Sequence, residues 1–274
     1  EEYFNGHNAT ATWPWNSAGK TLVSTTTGIA QQEGLLNINN KVSQYLGNGW
    51  TSEPLEKENL ITPRHLLTMT SGLNDESNWV IKSNLTYLAD AGTRWSYSNV
   101  FQKLIDVVAA SSNQTFENYF NAKLKNKIGM DGFWNFGTIF TIYHSNTRSM
   151  ARFGLLFLNK GKWKNEQIIN ETYLNEAIST SQNINPSYGY LWWLNGKSKY
   201  MVPGSQTVYP TALVPNAPAD MYAAMGAEDQ RIYVIPSKNM VVIRMGDASD
   251  PQNPNFALSG FDAALWDKIN AVVR

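Results

Sequence analysis

NSAGKTLVSTTTGIAQQEG, residues 16–34, opens with a serine and a lysine three positions apart and continues with apolar residues at helical spacing. Leu22, Val23, Ile29 and Ala30 fall on one side and Gly34 is placed as a stop, which predicts a helix from Ser17 to Gln32 with Asn16 or Ser17 as its N-cap. On that helix the Lys20 amine rises about one turn above the Ser17 hydroxyl, on the same face. A serine hydroxyl is inert at its free pKa, and a lysine can take its proton when burial disfavours the charged amine. The helix N-terminus adds free N–H groups for a developing oxyanion. Taken alone, the pair also fits an N-cap serine beside a solvated lysine. Gly19-Lys20-Thr21 matches the end of a phosphate-binding loop, but Pro14 and Trp15 stand where such a loop needs its glycine-rich nest.

Working outward, Glu1–Phe4 has strand composition and needs partners to pair with. The middle of the chain carries helix signals: Pro63 leading into HLLTMT, FQKLIDVVAA from Phe101, and Arg148–Leu158 ended by Gly161. From about Tyr188 the runs become β-rich: YGYLWW, MYAAM, then RIYVI and MVVIRM joined by the turn PSKN. The last segment, Phe261–Val273, is amphipathic, with Phe261, Leu265, Ile269 and Val272 on one face. This order predicts an α/β (α+β) fold. Residues 1–21 and 187–274 form a discontinuous sheet domain, residues 22–186 a mostly helical one, and the active site lies between them.

The bulk properties exclude several function classes. Among 274 residues the charges balance at net zero and no dense basic run occurs, so nucleic acid is not expected as a partner. No apolar stretch reaches the ~18 residues that span a bilayer. The acidic start at Glu1 and Glu2 predicts an exported protein, periplasmic or secreted, with its signal removed. Without cysteine there is no disulfide, thiolate site or cysteine nucleophile. His7, His65 and His144 show no ligand spacing, and Asp247–Asn255 lacks the regular spacing of a calcium loop, so neither metal nor cofactor is expected.

Tyr97-Ser98-Asn99 follows the turn Ala91-Gly92-Thr93 and directly precedes a helix, so a loop there can present a phenol and an amide to a cleft. In order along nearly the whole chain, the segment 16–34, TPRHLLTMTSGL (62–73), AGTRWSYSN (91–99), IGMDGFW (128–134), RSMARFGLLFLNKGKW (148–163), YGYLWWLNG (188–196) and RIYVIPSKNMVVIRMG (231–246) resemble the serine β-lactamase and penicillin-binding protein superfamily. The similarity is to its class C-like branch, which includes esterases and 6-aminohexanoate-dimer hydrolases. The resemblance implies an antiparallel sheet flanked by helices with an inserted helical region. It implies Ser17 as nucleophile, Lys20 as its base and Tyr97 as the proton shuttle to the leaving group. Asn99 would hydrogen-bond the substrate or Lys20. The backbone N–H of Ala227, after Gly226, would complete an oxyanion hole with that of Ser17.

The sequence departs from the family in two places. Where the third motif has Lys or His followed by Thr-Gly, Ala224-Met225-Gly226 keeps only the glycine. A charged hydrogen bond contributes about 1.5 to 3 kcal/mol, so the change argues for substrates lacking the carboxylate of β-lactams and peptidoglycan stems. Trp95, Trp192 and Trp193 are suited to lining an apolar acyl pocket. The family also carries a helix and a strand ahead of the position of Glu1, which leaves an N-terminal sheet edge open to cover or to self-association. The expected function is therefore a serine hydrolase acting on a small ester or amide through an acyl-enzyme. The alternatives are β-lactamase or DD-peptidase activity on carboxylate-bearing substrates, and a catalytically silent binding protein.

Overall fold

The computed structural model describes residues 1–137, 139–252, 258 and 260–273. The chain enters through β1 (Trp13–Pro14), a 3-10 turn (Asn16–Gly19) and α1 (Lys20–Gln32). It then builds α2 (Pro63–Leu67), α3 (Lys103–Ser112), β2 (Phe133–Asn135), β3 (Ile142–Ser145), α4 (Thr147–Leu158) and α5 (Glu171–Ala177). Strands β4 (Trp193–Leu194), β5 (Tyr222–Gly226), β6 (Gln230–Ile235) and β7 (Met240–Arg244) precede the last helix, α6 (Gly260–Val272). No helix among the described residues is long and apolar enough to cross a membrane.

The sheet behind the site is antiparallel, in the order β7-β6-β5-β4. Strands β5 and β6 are buried along their whole length, because helices cover both faces. On one face α4 approaches so closely that a Cβ on Gly154 would meet Val241 Cγ1 at 2.6 Å. On another, Trp266 of α6 packs edge-on to Tyr233 of β6, ring centroids 5.8 Å apart. Asp262 and Trp266 are the buried residues of α6, Leu265 and Ile269 of the predicted face pack against the core beside them, and Val272 at its end is 83% exposed.

The opening of the chain differs from expectation. Glu1–Phe4 forms no strand; Asn5 and Gly6 turn it away in left-handed conformation, and Glu1 pairs with Arg148 on the surface. The first strand is β1, and it joins a separate three-stranded sheet, β1-β3-β2, whose other members lie in the middle of the chain. YGYLWW is also not one strand. Leu191 is left-handed, Gly189 N–H donates to the Trp192 carbonyl, and Tyr188 bridges Trp193, so the run folds back on itself before β4.

Helix α1 is the central buried element, with every residue from Lys20 to Ala30 out of solvent. Its threonines survive burial by bonding to their own helix: the Thr25, Thr26 and Thr27 hydroxyls donate to the carbonyls of Thr21, Leu22 and Val23 at 2.7–2.8 Å. Gly28 leaves room for the Tyr173 ring of α5, which would lie 2.3 Å from a Cβ there, and the Tyr173 hydroxyl donates to the Ser24 carbonyl at 2.9 Å.

Candidate active site

Ser17 is positioned from two sides. Upstream, Trp15 is completely buried and doubly anchored to β3, its backbone N–H on the Tyr143 carbonyl at 2.8 Å and its indole on Ser145 Oγ at 2.7 Å. Asn16 then takes a left-handed turn at φ 48°, and Ser17 enters the 3-10 turn ahead of its first internal hydrogen bond. Across from it lies the end of β5, where a Cβ on Gly226 would meet Trp15 O at 2.5 Å, Ala18 N at 3.0 Å and Ser17 N at 3.1 Å. Only glycine permits that approach. It brings the next residue, Ala227, to the same wall of the cavity as Ser17.

Lys20 Nζ lies 2.8 Å from Ser17 Oγ. The amine is wedged between the rings of Tyr97 and Phe101, 4.7 Å from each centroid, and has no ion-pair partner among the described residues. Burial therefore drops it from the usual lysine range to about 7. An amine held there is partly free at neutral pH and able to accept the serine proton.

Tyr97 is held by aromatic packing. Its ring stacks on Trp193 at 5.6 Å with an interplanar angle of 23°, and meets Tyr188 edge-on at 6.0 Å. The loop that carries it is tied down by Ser96 N–H to the Met69 carbonyl and by Gln206 to the Trp95 carbonyl. Burial pushes the phenol well above its ordinary pKa, and the neighbouring Ser17 side chain and the charge of Arg231 pull the other way. Tyr97 thus rests as the protonated phenol, with its ring against the Lys20 amine that meets Ser17.

Asn99 does not bond Lys20. Its amide donates to the carbonyls of Asn78 and Ile139 at 3.1 and 3.2 Å, closing two loops over the site, while the residue lines the cavity. That cavity holds about 260 Å³, with Val23, Phe101, Phe140 and Ile142 as its apolar walls. The three tryptophans proposed for an acyl pocket are not there. Trp95, Trp192 and Trp193 are all at most 1% exposed, with Trp95 and Trp193 packed behind Tyr97 and Trp192 against Phe153 and Phe157. None of the three histidines lines the cavity, and no group of three His, Asp or Glu among the described residues could hold a metal. In the acidic run 247–255, Asp247 accepts from Arg244 through its carbonyl, and Asn253–Asn255 lie outside the described residues.

Two features escaped the sequence reading. Arg231, fully buried in β6, donates to Asp262 through Nε at 2.7 Å and Nη2 at 3.1 Å, to Asp229 at 3.1 Å, and through Nη1 to the Gly226 carbonyl at 2.6 Å. It thereby fixes the end of β5 against Ser17. The available signal was an arginine inside an apolar strand run, which requires a buried acid to pair with it. The second is Glu228, which directly follows Ala227 and lines the cavity. No pattern marked it.

A model of the Beta-lactamase family matches residues 2–258. Among solved structures, a candidate 6-aminohexanoate-dimer hydrolase from Bacillus anthracis aligns at TM-score 0.73 and 14% identity, covering 98% of this chain and 74% of that one. A beta-lactamase from Mycobacterium bovis aligns at TM-score 0.68 and 21% identity over 96% and 88% of the two chains. A penicillin binding protein from Bacillus halodurans aligns at 0.66 and 16% over 98% and 88%. No curated protein matches the sequence significantly.

Proposed function

The chain belongs to the beta-lactamase family, and from that premise we propose that it hydrolyses small esters or amides that lack a carboxylate, through an acyl-enzyme on Ser17. The observation that carries this reading is the Ser17–Lys20 contact on the wall of an apolar cavity, with the amine held near neutrality by burial. Lys20 takes the Ser17 proton as Oγ attacks the substrate carbonyl, and the N–H groups of Ser17 and Ala227 stabilise the oxyanion. Collapse breaks the bond to the leaving group, which takes a proton from Tyr97; Tyr97 is reprotonated by Lys20. Water then attacks the ester on Ser17, giving its proton to the same pair; collapse breaks the bond to Ser17 Oγ, which takes that proton back as the acid departs. The loss of the third-motif cation supports substrates without a carboxylate over β-lactams, and among the described residues that line the cavity Lys20 is the only basic side chain.

Incubation with a fluorophosphonate and intact-mass measurement tests the nucleophile. A single adduct that disappears in Ser17→Ala is expected. No adduct, or one that persists in that variant, overturns the assignment and favours a silent binding protein. Self-association stays within this reading, at the edge strand β7, which has no strand beyond it among the described residues. Light scattering that returns a monomer mass would end that part.

A further inference from the structure

Glu228 is the acidic side chain on the cavity wall that holds Ser17 and Lys20, and nothing in the reaction above uses it. It sits at φ 58°, with Asp229 at 57°, in the turn between β5 and β6. Two consecutive left-handed non-glycine residues are costly and persist where the fold requires them. This turn sends Asp229 inward to Arg231 and Ser249 and leaves Glu228 facing the cavity. The Glu228 carboxylate has only a long 3.4 Å contact from Asn16 Nδ2 and no ion pair among the described residues. The cations of this region are committed elsewhere: Arg231 to Asp262, Asp229 and the Gly226 carbonyl, Arg244 to the backbone carbonyls of Glu228, Gly246 and Asp247. Lys20 is not its partner either, since burial alone sets that amine.

A carboxylate one residue from the proposed oxyanion donor Ala227 works against a developing negative charge unless a cation offsets it. A substrate can bring that cation. We propose that the cavity recognises substrates bearing an ammonium group, held by the Glu228 carboxylate, so that the site serves amine-bearing esters or amides. For the reaction, this rests on the hydrolase reading; for binding, it does not.

Binding separates the two. In a Ser17→Ala background, calorimetry with hexylammonium, 1-hexanol and hexanoate should give the ammonium at least about tenfold tighter binding than the alcohol, the weight of one charged hydrogen bond, with the carboxylate weakest. Adding Glu228→Gln should erase that advantage. Equal binding of ammonium and alcohol, or an advantage that survives Glu228→Gln, overturns the inference. With Ser17 present, isosteric pairs report the same preference in kcat/KM: p-nitrophenyl 4-(aminomethyl)benzoate against the 4-ethylbenzoate, and 2-aminoethyl benzoate against propyl benzoate. Hydrolysis of both members of each pair without cation preference sinks the inference and leaves the hydrolase standing. Glu228-dependent ammonium binding without hydrolysis of any ester does the reverse.

Discussion

Lys20 Nζ and Ser17 Oγ are 2.8 Å apart, and no acid among the described residues pairs with the amine. A lysine beside a carboxylate would hold its proton into the alkaline range and be useless as a base. Here the surrounding rings of Tyr97 and Phe101 remove water without supplying a counter-charge, which leaves the amine near 7.

The first expected outcome is a pH–rate profile for a neutral ester in which kcat/KM reaches half its plateau near pH 7 and falls by about tenfold per unit below it. Lys20→Arg should lose about 10² or more in rate, because a guanidinium stays protonated. Stopped assays of p-nitrophenyl acetate from pH 5 to 9 check both. A profile flat through pH 7 would remove Lys20 as the base.

The same amine links stability to pH. Its folded pKa, about 7, lies below the ordinary 10.5, so between those values the unfolded chain binds the extra proton and folding becomes more favourable as pH rises. The cost of burying the charge is greatest below pH 7 and is relieved on the way to 10.5. Lys20→Met should therefore be more stable than the parent at pH 6 and lose most of that advantage by pH 10. Urea melts of both proteins at the two pH values measure the difference, and an advantage independent of pH would contradict the buried-amine account.

Tyr97→Phe keeps the stack on Trp193 and removes only the phenol hydroxyl. Turnover should fall by about 10² to 10⁴ while the unfolding midpoint scarcely moves. Tyr97→Ala should lower both, since it also empties a ring-sized space against Trp193 and Tyr188. Near-full activity in Tyr97→Phe would show that another group carries the proton.

Much of this was legible in the sequence, and the failures have physical causes. The fold class, the helix from Ser17 and the β6–β7 hairpin follow from local periodicity and turn chemistry, which act within a few residues. The burial of α1 on every side was not legible, because Thr25, Thr26 and Thr27 are polar and enter the core by bonding to their own backbone. In α6 the predicted face holds at Leu265 and Ile269, but the buried face also includes an aspartate, whose burial makes sense only beside Arg231. The tryptophans were assigned to the cavity on residue type, but large aromatics at this site support Tyr97 from behind. Glu228 gave no signal, since its role depends on a turn geometry that composition does not encode.

Gly226→Ala tests the oxyanion wall. The added methyl would sit 2.5 Å from Trp15 O and 3.1 Å from Ser17 N, both backbone atoms, so β5 must move away from the 3-10 turn. We expect kcat to fall about 10²-fold, the usual scale for a misplaced oxyanion donor, with overpacking costing about 1–3 kcal/mol of stability. Fluorophosphonate labelling should slow in parallel, because that reagent needs the same donors. An unchanged labelling rate would place the oxyanion elsewhere.

Substrate charge gives the final test. Ala224 and Met225, which stand where the family has its cation and hydroxyl, are each 1% exposed and do not line the cavity, and the residue that does line it nearby is the acid Glu228. A β-lactam carboxylate would meet no cation among the described residues that line the cavity except Lys20, whose deprotonated form the reaction requires. Penicillin and nitrocefin should therefore be turned over with kcat/KM at least about a hundredfold below that of p-nitrophenyl acetate, equivalent to ~2.7 kcal/mol of lost transition-state binding. The structure also says where a repair would work. Ala224→Lys would force a charge into the packed sheet and should cost stability without helping, whereas Glu228→Lys puts the cation on the cavity wall and should narrow the gap between nitrocefin and the ester. Comparable efficiency on both substrates in the unchanged protein would mean that a carboxylate is held by groups other than these, and the reading that substrates lack a carboxylate would fall with it.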